Sequence, residues 1–304
     1  MANNVIEASR VTKVYGAIRA VDSVDLAVRA GETFGLIGHN GAGKTTLFKM
    51  MLGLIPATSG EIRIDGRPVR GEAFRQVRRR VGYLPENVVL YDNLTGLETL
   101  YFFAALKNVP RAECAPLLER VGLSRASSQR VREYSKGMRQ RLGFAQALLG
   151  DPALLFLDEP TNGLDPEGIR EFYRILDTMK ARGATVILTS HILSEIQQRV
   201  DRLAIIRTGR IQALGTVQSL REEMDLPLRF EARLANGSAG ALRGVLERAK
   251  VGEIVVDGDR MTFRCPRESK MAVLGALASL DGSVLDLHLR EPSLEDVFLG
   301  YSGH

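Results

Sequence analysis

Thr33-Phe34-Gly35-Leu36-Ile37-Gly38-His39-Asn40-Gly41-Ala42-Gly43-Lys44-Thr45-Thr46 moves from a continuous apolar run, through a glycine-rich loop, into a helical stretch beginning at Lys44. A run like Thr33–Ile37 suits a strand covered on both faces, as in a parallel sheet. The loop that follows matches the phosphate-loop spacing, with Gly38, Gly43, Lys44 and Thr45 at its fixed positions. Polyphosphate needs many donors and close backbone approach. Glycines permit that approach, successive N–H groups curl into an anion nest, and the helix behind adds its positive end. Lys44 is expected to bridge the β- and γ-phosphates of a nucleotide, and the Thr45 hydroxyl to ligate Mg²⁺. The bland reading is a glycine-rich turn before an ordinary helix. The fixed positions match by chance in a chain this long at about one or two per cent, and the strand and helix flanks favour the nucleotide site further.

Working outward, Leu154–Leu157, Thr185–Thr189 and Leu203–Ile206 are further apolar runs alternating with amphipathic segments. That alternation, from Val5 to about Gly215, predicts an α/β domain. Residues from about 87 to 150 read as a helical subdomain inserted into it. Beyond about 222 the pattern changes. Leu228–Leu234 and Val284–Leu289 alternate like half-buried strands, and 239–249 and 271–280 read as helices. An Asp257-Gly258-Asp259 turn lies between two short strands. The order βαββαβ predicts a small ferredoxin-like α+β domain over 223–304, after a first domain of 1–222.

Composition narrows the class. The chain has 304 residues, 45% of them hydrophobic and 25% charged, which suits packed cores and argues against disorder. A net charge of +5 does not by itself indicate nucleic-acid binding, and Arg75, Arg78, Arg79 and Arg80 read as a solvated helix face. The amino terminus lacks a signal-peptide pattern, and no apolar stretch reaches membrane-spanning length. Any membrane role is therefore expected to work through a partner. Cys114 and Cys265 are isolated and read as packing residues in a reducing cytosol.

Leu154-Leu155-Phe156-Leu157-Asp158-Glu159 places two carboxylates at the end of a buried strand, where α/β sheets bind ligands. Asp158 is expected to hold Mg²⁺, and Glu159 to polarise the attacking water. Kinases, GTPases and helicases share this pairing. Tyr134-Ser135-Lys136-Gly137-Met138-Arg139-Gln140-Arg141 separates them: Ser135 is a good N-cap, and Ser-Lys-Gly at a helix start is also an anion site.

Ser135 to Arg141 resembles the ABC signature sequence, and the first domain is similar to an ABC ATPase in motif order. The resemblance implies an ATPase working with ATP and Mg²⁺, in which two copies pair head to tail. The phosphate loop of one copy and Ser135, Lys136, Gly137 and Met138 of the other then enclose each ATP. It makes Tyr15 the aromatic that stacks on adenine, and Asn162–Pro166, with Asp165, the loop at the dimer interface. It makes His191, after the Thr185–Thr189 strand, the histidine that contacts the γ-phosphate and steadies the water. It also implies an integral membrane permease as partner, a peripheral place on the cytoplasmic face of the inner membrane, and no role for nucleic acid.

Two positions depart from the commonest pattern. Glu86 stands where ABC ATPases usually carry a glutamine that touches Mg²⁺ and reports to the permease, and a carboxylate there remains a hard oxygen ligand. His39 stands where proline is usual. Together they resemble the ATPase subunits of transporters that serve nitrous oxide reductase. This implies a role in maturing that enzyme's copper centres, with a periplasmic accessory protein reached through the permease. The alternative is a drug, lipid or polysaccharide exporter ATPase of the ABC-2 kind, and a soluble non-transport ABC protein is the third reading.

Overall fold

In the computed structural model the Thr33–Ile37 strand is buried along its whole length, inside a six-stranded sheet. The structure describes residues 3–298 except 191, 225, 236–237, 249–250, 280–281 and 294. The strand order is Arg210–Gly215, Arg202–Arg207, Thr33–Ile37, Thr185–Ser190, Leu154–Leu157, Val81–Leu84. All neighbours run parallel except the first pair, which is antiparallel. Parallel strands need crossovers, and crossovers cover both faces, so these strands carry apolar residues at successive positions rather than alternate ones.

One face packs on the helix Lys44–Met51 and on a second, antiparallel sheet. That sheet is built from Asn4–Tyr15, Ile18–Arg29, Ser59–Ile64 and Arg67–Pro68. Phe48 from the helix meets Phe156 from the sheet edge-on, with ring centroids 5.4 Å apart. On the other face Gly35 has no side chain, and Val200 and Leu203 come within 3.3 Å of where a Cβ would stand.

The expected helical subdomain is present as shorter pieces: Gly96–Lys107, Cys114–Arg120 and Lys136–Leu148, with 3₁₀ turns between them. Thr95 and Glu98 form a reciprocal capping box at the first, and Asn108, with φ +58°, ends it. Cys114 is buried in this subdomain, and burial pushes its thiol above the ordinary range.

The chain divides into two compact units, Met1–Thr216 and Val217–His304. The division falls six residues before the expected boundary, because the helix Val217–Glu223 goes with the second unit. Within that unit the strand order is Gly252–Asp257, Arg260–Cys265, Leu228–Leu234, Val284–Arg290, antiparallel throughout. With helices Ala239–Arg248 and Lys270–Ala278 this is the βαββαβ ferredoxin-like arrangement. Its core centres on Phe230 and Phe263, cross-strand neighbours stacked with centroids 4.9 Å apart. Cys265 is buried there, and its thiol too is pushed up by burial.

Candidate active site

The carboxyl ends of the parallel strands open on a cavity of about 320 Å³. The loop from His39 to Thr46 lines it, with Glu86, Asp158, Glu159, Asn162 and Ala20. The loop's shape depends on glycine. Gly41 and Gly43 adopt φ +80° and +108°, and a Cβ on Gly43 would collide with the Ala20 carbonyl oxygen. Gly38 is equally committed, since its Cβ would collide with the Ile206 carbonyl oxygen. Gly43 stands at the N-cap of the Lys44–Met51 helix, whose open N–H groups and positive dipole end face the loop.

Lys44 is buried, and its ammonium donates to the carbonyl oxygens of Gly38 (2.6 Å) and His39 (3.3 Å). Burial pushes its pKa below the ordinary lysine range, while Glu159, Asp158 and Glu86 oppose that shift. One cation thus faces several carboxylates across the cavity, an arrangement suited to a ligand that brings both phosphates and a metal.

Asp158 and Glu159 are both buried. Burial pushes the Asp158 carboxyl above its usual range, and the hydrogen bond from Thr189 is the largest effect opposing it. The Thr189 hydroxyl donates to Asp158 Oδ1 at 2.7 Å. Asp158 Oδ2 is buried and has no hydrogen-bond partner among the described residues. Asp158 lines the cavity and its carboxyl is also touched by the Thr45 hydroxyl, so a buried oxygen of this kind fits a Mg²⁺ ligand. Glu159 takes a left-handed backbone, φ +48°, which a non-glycine residue adopts at a cost of about 1–3 kcal/mol. Glu86 is exposed on the cavity wall, placed to offer its carboxylate to a metal.

The remaining expected residues lie elsewhere. Tyr15, 47% exposed, ends the Asn4–Tyr15 strand with the Lys13 ammonium 5.0 Å from its ring centroid. Ser135 caps the Lys136–Leu148 helix by accepting from the Met138 amide (3.2 Å). Ser135, Lys136, Gly137 and Met138 do not line the cavity. They adjoin the 162–164 loop instead: a Cβ on Gly137 would stand 2.8 Å from the Gly163 carbonyl oxygen. Asp165 accepts from the Gly168 amide (3.0 Å), capping the Pro166–Ala181 helix, and pairs with Arg141 at 3.3 Å. Its side chain is therefore engaged within its own chain. His191 lies outside the described residues.

The sequence reading missed several contributors. Thr189 touches both carboxylate residues, although the sequence marks it only as the end of a strand. Asn162 lines the cavity as well as belonging to the interface loop, and buried Gln140 donates to the Pro160 carbonyl oxygen (2.9 Å). A polar residue at the end of an apolar strand beside the Asp158 strand was the available signal for Thr189. Ala20 had none, because its part is its backbone.

Several known proteins and solved structures are similar to this chain. The ABC transporter family model matches residues 21–162. An ABC transporter ATP-binding protein of Synechocystis sp. is 38% identical, over 97% of this chain and 84% of its own length. A daunorubicin resistance ATP-binding protein of Streptomyces coeruleorubidus is 36% identical over 100% of this chain and 97% of its own. A bacitracin transport ATP-binding protein of Bacillus licheniformis is 36% identical, with 99% and 98% covered. Among solved structures, an ATP-binding subunit of an ABC transporter superposes with a TM-score of 0.67 at 35% identity, covering 72% of this chain and 92% of its own. A bacterial ABC transporter cassette solved as a dimer gives 0.65 at 25% identity, with 70% and 98% covered.

Proposed function

This chain belongs to the ABC transporter family, as an ATP-binding subunit that hydrolyses ATP for transport, and from that premise we propose that it drives export of a drug-like compound of the kind its relatives' names give. The observation that carries the proposal is the extent of similarity to the daunorubicin resistance and bacitracin transport proteins. It spans both units of this chain, not the ATP-binding unit alone.

The loop amides and Lys44 hold the phosphates, and the Lys44–Met51 helix end adds its dipole. Bound Mg²⁺ supplies charge neutralisation along the phosphates; Asp158 Oδ2 and the Thr45 hydroxyl would hold it, with Glu86 beside them. Glu159 takes a proton from the attacking water as its oxygen bonds the γ-phosphorus and the bond to the β-bridging oxygen breaks. ADP and phosphate leave. The signature residues lie outside the cavity of their own chain, so a second copy supplies Ser135–Met138 to close each site. The cassette solved as a dimer supports that pairing.

No described helix is long and apolar enough to cross a membrane, so a permease subunit carries the path. Its docking face is the exposed apolar group Tyr91, Phe102 and Leu106, with Tyr91 and Phe102 at 5.5 Å between centroids. Docking there sets this subunit on the cytoplasmic face of the membrane.

The second reading, service to the copper centres of nitrous oxide reductase, is favoured by His39 and Glu86, both on the cavity wall. The named relatives favour the first reading, because their names give daunorubicin resistance and bacitracin transport. Cells carrying Glu159→Gln in place of the parent separate the two. Export predicts sensitisation to a drug such as daunorubicin or bacitracin, with nitrous oxide reduction unaffected. Copper-deficient nitrous oxide reductase with unchanged antibiotic tolerance would establish the second reading instead.

A further inference from the structure

Thr189 is fully buried on the Thr185–Ser190 strand, away from the loop that holds the phosphates. Its oxygen stands 2.7 Å from Asp158 Oδ1 and 2.9 Å from the Glu159 amide nitrogen. An amide N–H only donates, so the hydroxyl accepts from Glu159, and its single proton goes to Asp158 Oδ1. One side chain therefore fixes two neighbours in opposite senses. An aspartate χ2 is broad and roughly two-fold, so an untethered carboxylate would exchange its oxygens. With Oδ1 tied, Oδ2 remains the buried oxygen without a partner. The same hydroxyl anchors the amide of Glu159, whose φ of +48° requires its surroundings to hold it. The Glu159 carbonyl is held in turn by the Asn162 amide at 3.2 Å.

We propose that Thr189 is a positioning residue that, through one hydroxyl, presents Asp158 Oδ2 to the metal and sets the backbone from which Glu159 reaches the water. The proposal rests on the roles of Asp158 and Glu159 given above. Thr189→Val keeps shape and removes the hydroxyl, whereas Thr189→Ser keeps the hydroxyl and removes a methyl.

The test uses full-length protein and Mn²⁺ as the probe, with paramagnetic resonance counting free metal in the presence of ADP. Thr189→Val should weaken Mn²⁺ binding and lower kcat, each by about tenfold or more. ADP affinity without metal should be unchanged, since the loop is untouched. Thr189→Ser should return both quantities to within about threefold of the parent. If Thr189→Val lowers the melting temperature while Mn²⁺ affinity and kcat per folded molecule stay at parental values, the hydroxyl is merely structural and the proposal is overturned. Should Thr189→Val fail to fold, Thr189→Cys, similar in size with a weak donor, must give intermediate losses of both, and parental values there overturn it equally. Asp158→Asn and Glu159→Gln report on the underlying reading. Parental Mn²⁺ affinity in the first, or parental kcat in the second, refutes the assigned roles and this proposal with them. Losses in both controls but not in Thr189→Val refute this proposal alone.

Discussion

The two units answer the same problem, how to bury a sheet, in opposite ways. In the first, the strands Thr33–Ile37, Leu154–Leu157 and Thr185–Ser190 are buried at every residue. In the second, Leu228–Leu234 alternates strictly, with Leu228, Phe230, Ala232 and Leu234 inside and Arg229 and Arg233 exposed. The first arrangement brings several strand ends to one rim, where loops converge on a cavity. The second leaves an open charged face, with Glu231 shared between Arg229 and Arg290. The phosphate-loop cavity forms where strands run parallel, and we propose that the antiparallel unit is an accessory to it.

The sharpest way to break that contrast is Glu159→Gln. Hydrolysis should slow by at least about a hundredfold, with ATP binding retained, as a steady-state assay beside a nucleotide titration would show. Turnover near the parental rate would show that Glu159 is not the base.

A smaller effect is expected from a core truncation in the second unit. Phe230→Ala should destabilise that unit by about 3–5 kcal/mol, read as an earlier transition in chemical denaturation. ATP hydrolysis measured well before that transition should stay within about twofold of the parent. The matching change Phe156→Ala, in the sheet that ends at Asp158, should instead reduce nucleotide binding along with stability. Equal losses of activity from both would mean the units do not divide the labour.

The smallest effect is one of pH. Burial, helped by Asp158 and Glu86, pushes the Tyr83 hydroxyl up to about 12, and burial with Glu195 does the same to Tyr173. An unfolded phenol titrates near 10, so the folded state holds these groups neutral where the unfolded state has lost the proton. Their contribution is intact below pH 10 and is lost as the pH rises toward 12. Both tyrosines belong to the first unit, so alkaline melting should begin there, and Tyr83→Phe should flatten the loss between pH 10 and 12. A parental pH profile in that variant would show that Tyr83 titrates like an exposed phenol.

How much was legible in the sequence followed the range of the interactions. Gly38–Thr45 could be read directly, because loop, helix start and lysine are neighbours in the chain and glycine's freedom is a local property. Asp158 and Glu159 were legible for the same reason, at the end of an apolar run. The second unit's order was equally plain, since alternation with period two and the Asp257-Gly258-Asp259 turn are short-range signals. The helical subdomain was legible as helical but not in its breaks at Asn108 and Gly122, where single left-handed residues end helices that periodicity would continue.

By itself, the sequence determined the phosphate loop, the pair of acids, the helical insertion and the two fold classes, because each is written in contiguous residues. Only the tertiary structure decided that Thr189, thirty-one positions from Asp158, would give its one proton to that carboxylate. It alone showed that the Ala20 carbonyl forbids a side chain on Gly43, and that the signature segment stands outside its own cavity. Each of these depends on which strands become neighbours. That choice is made by burying apolar faces across the whole unit, and no single stretch of chain carries it.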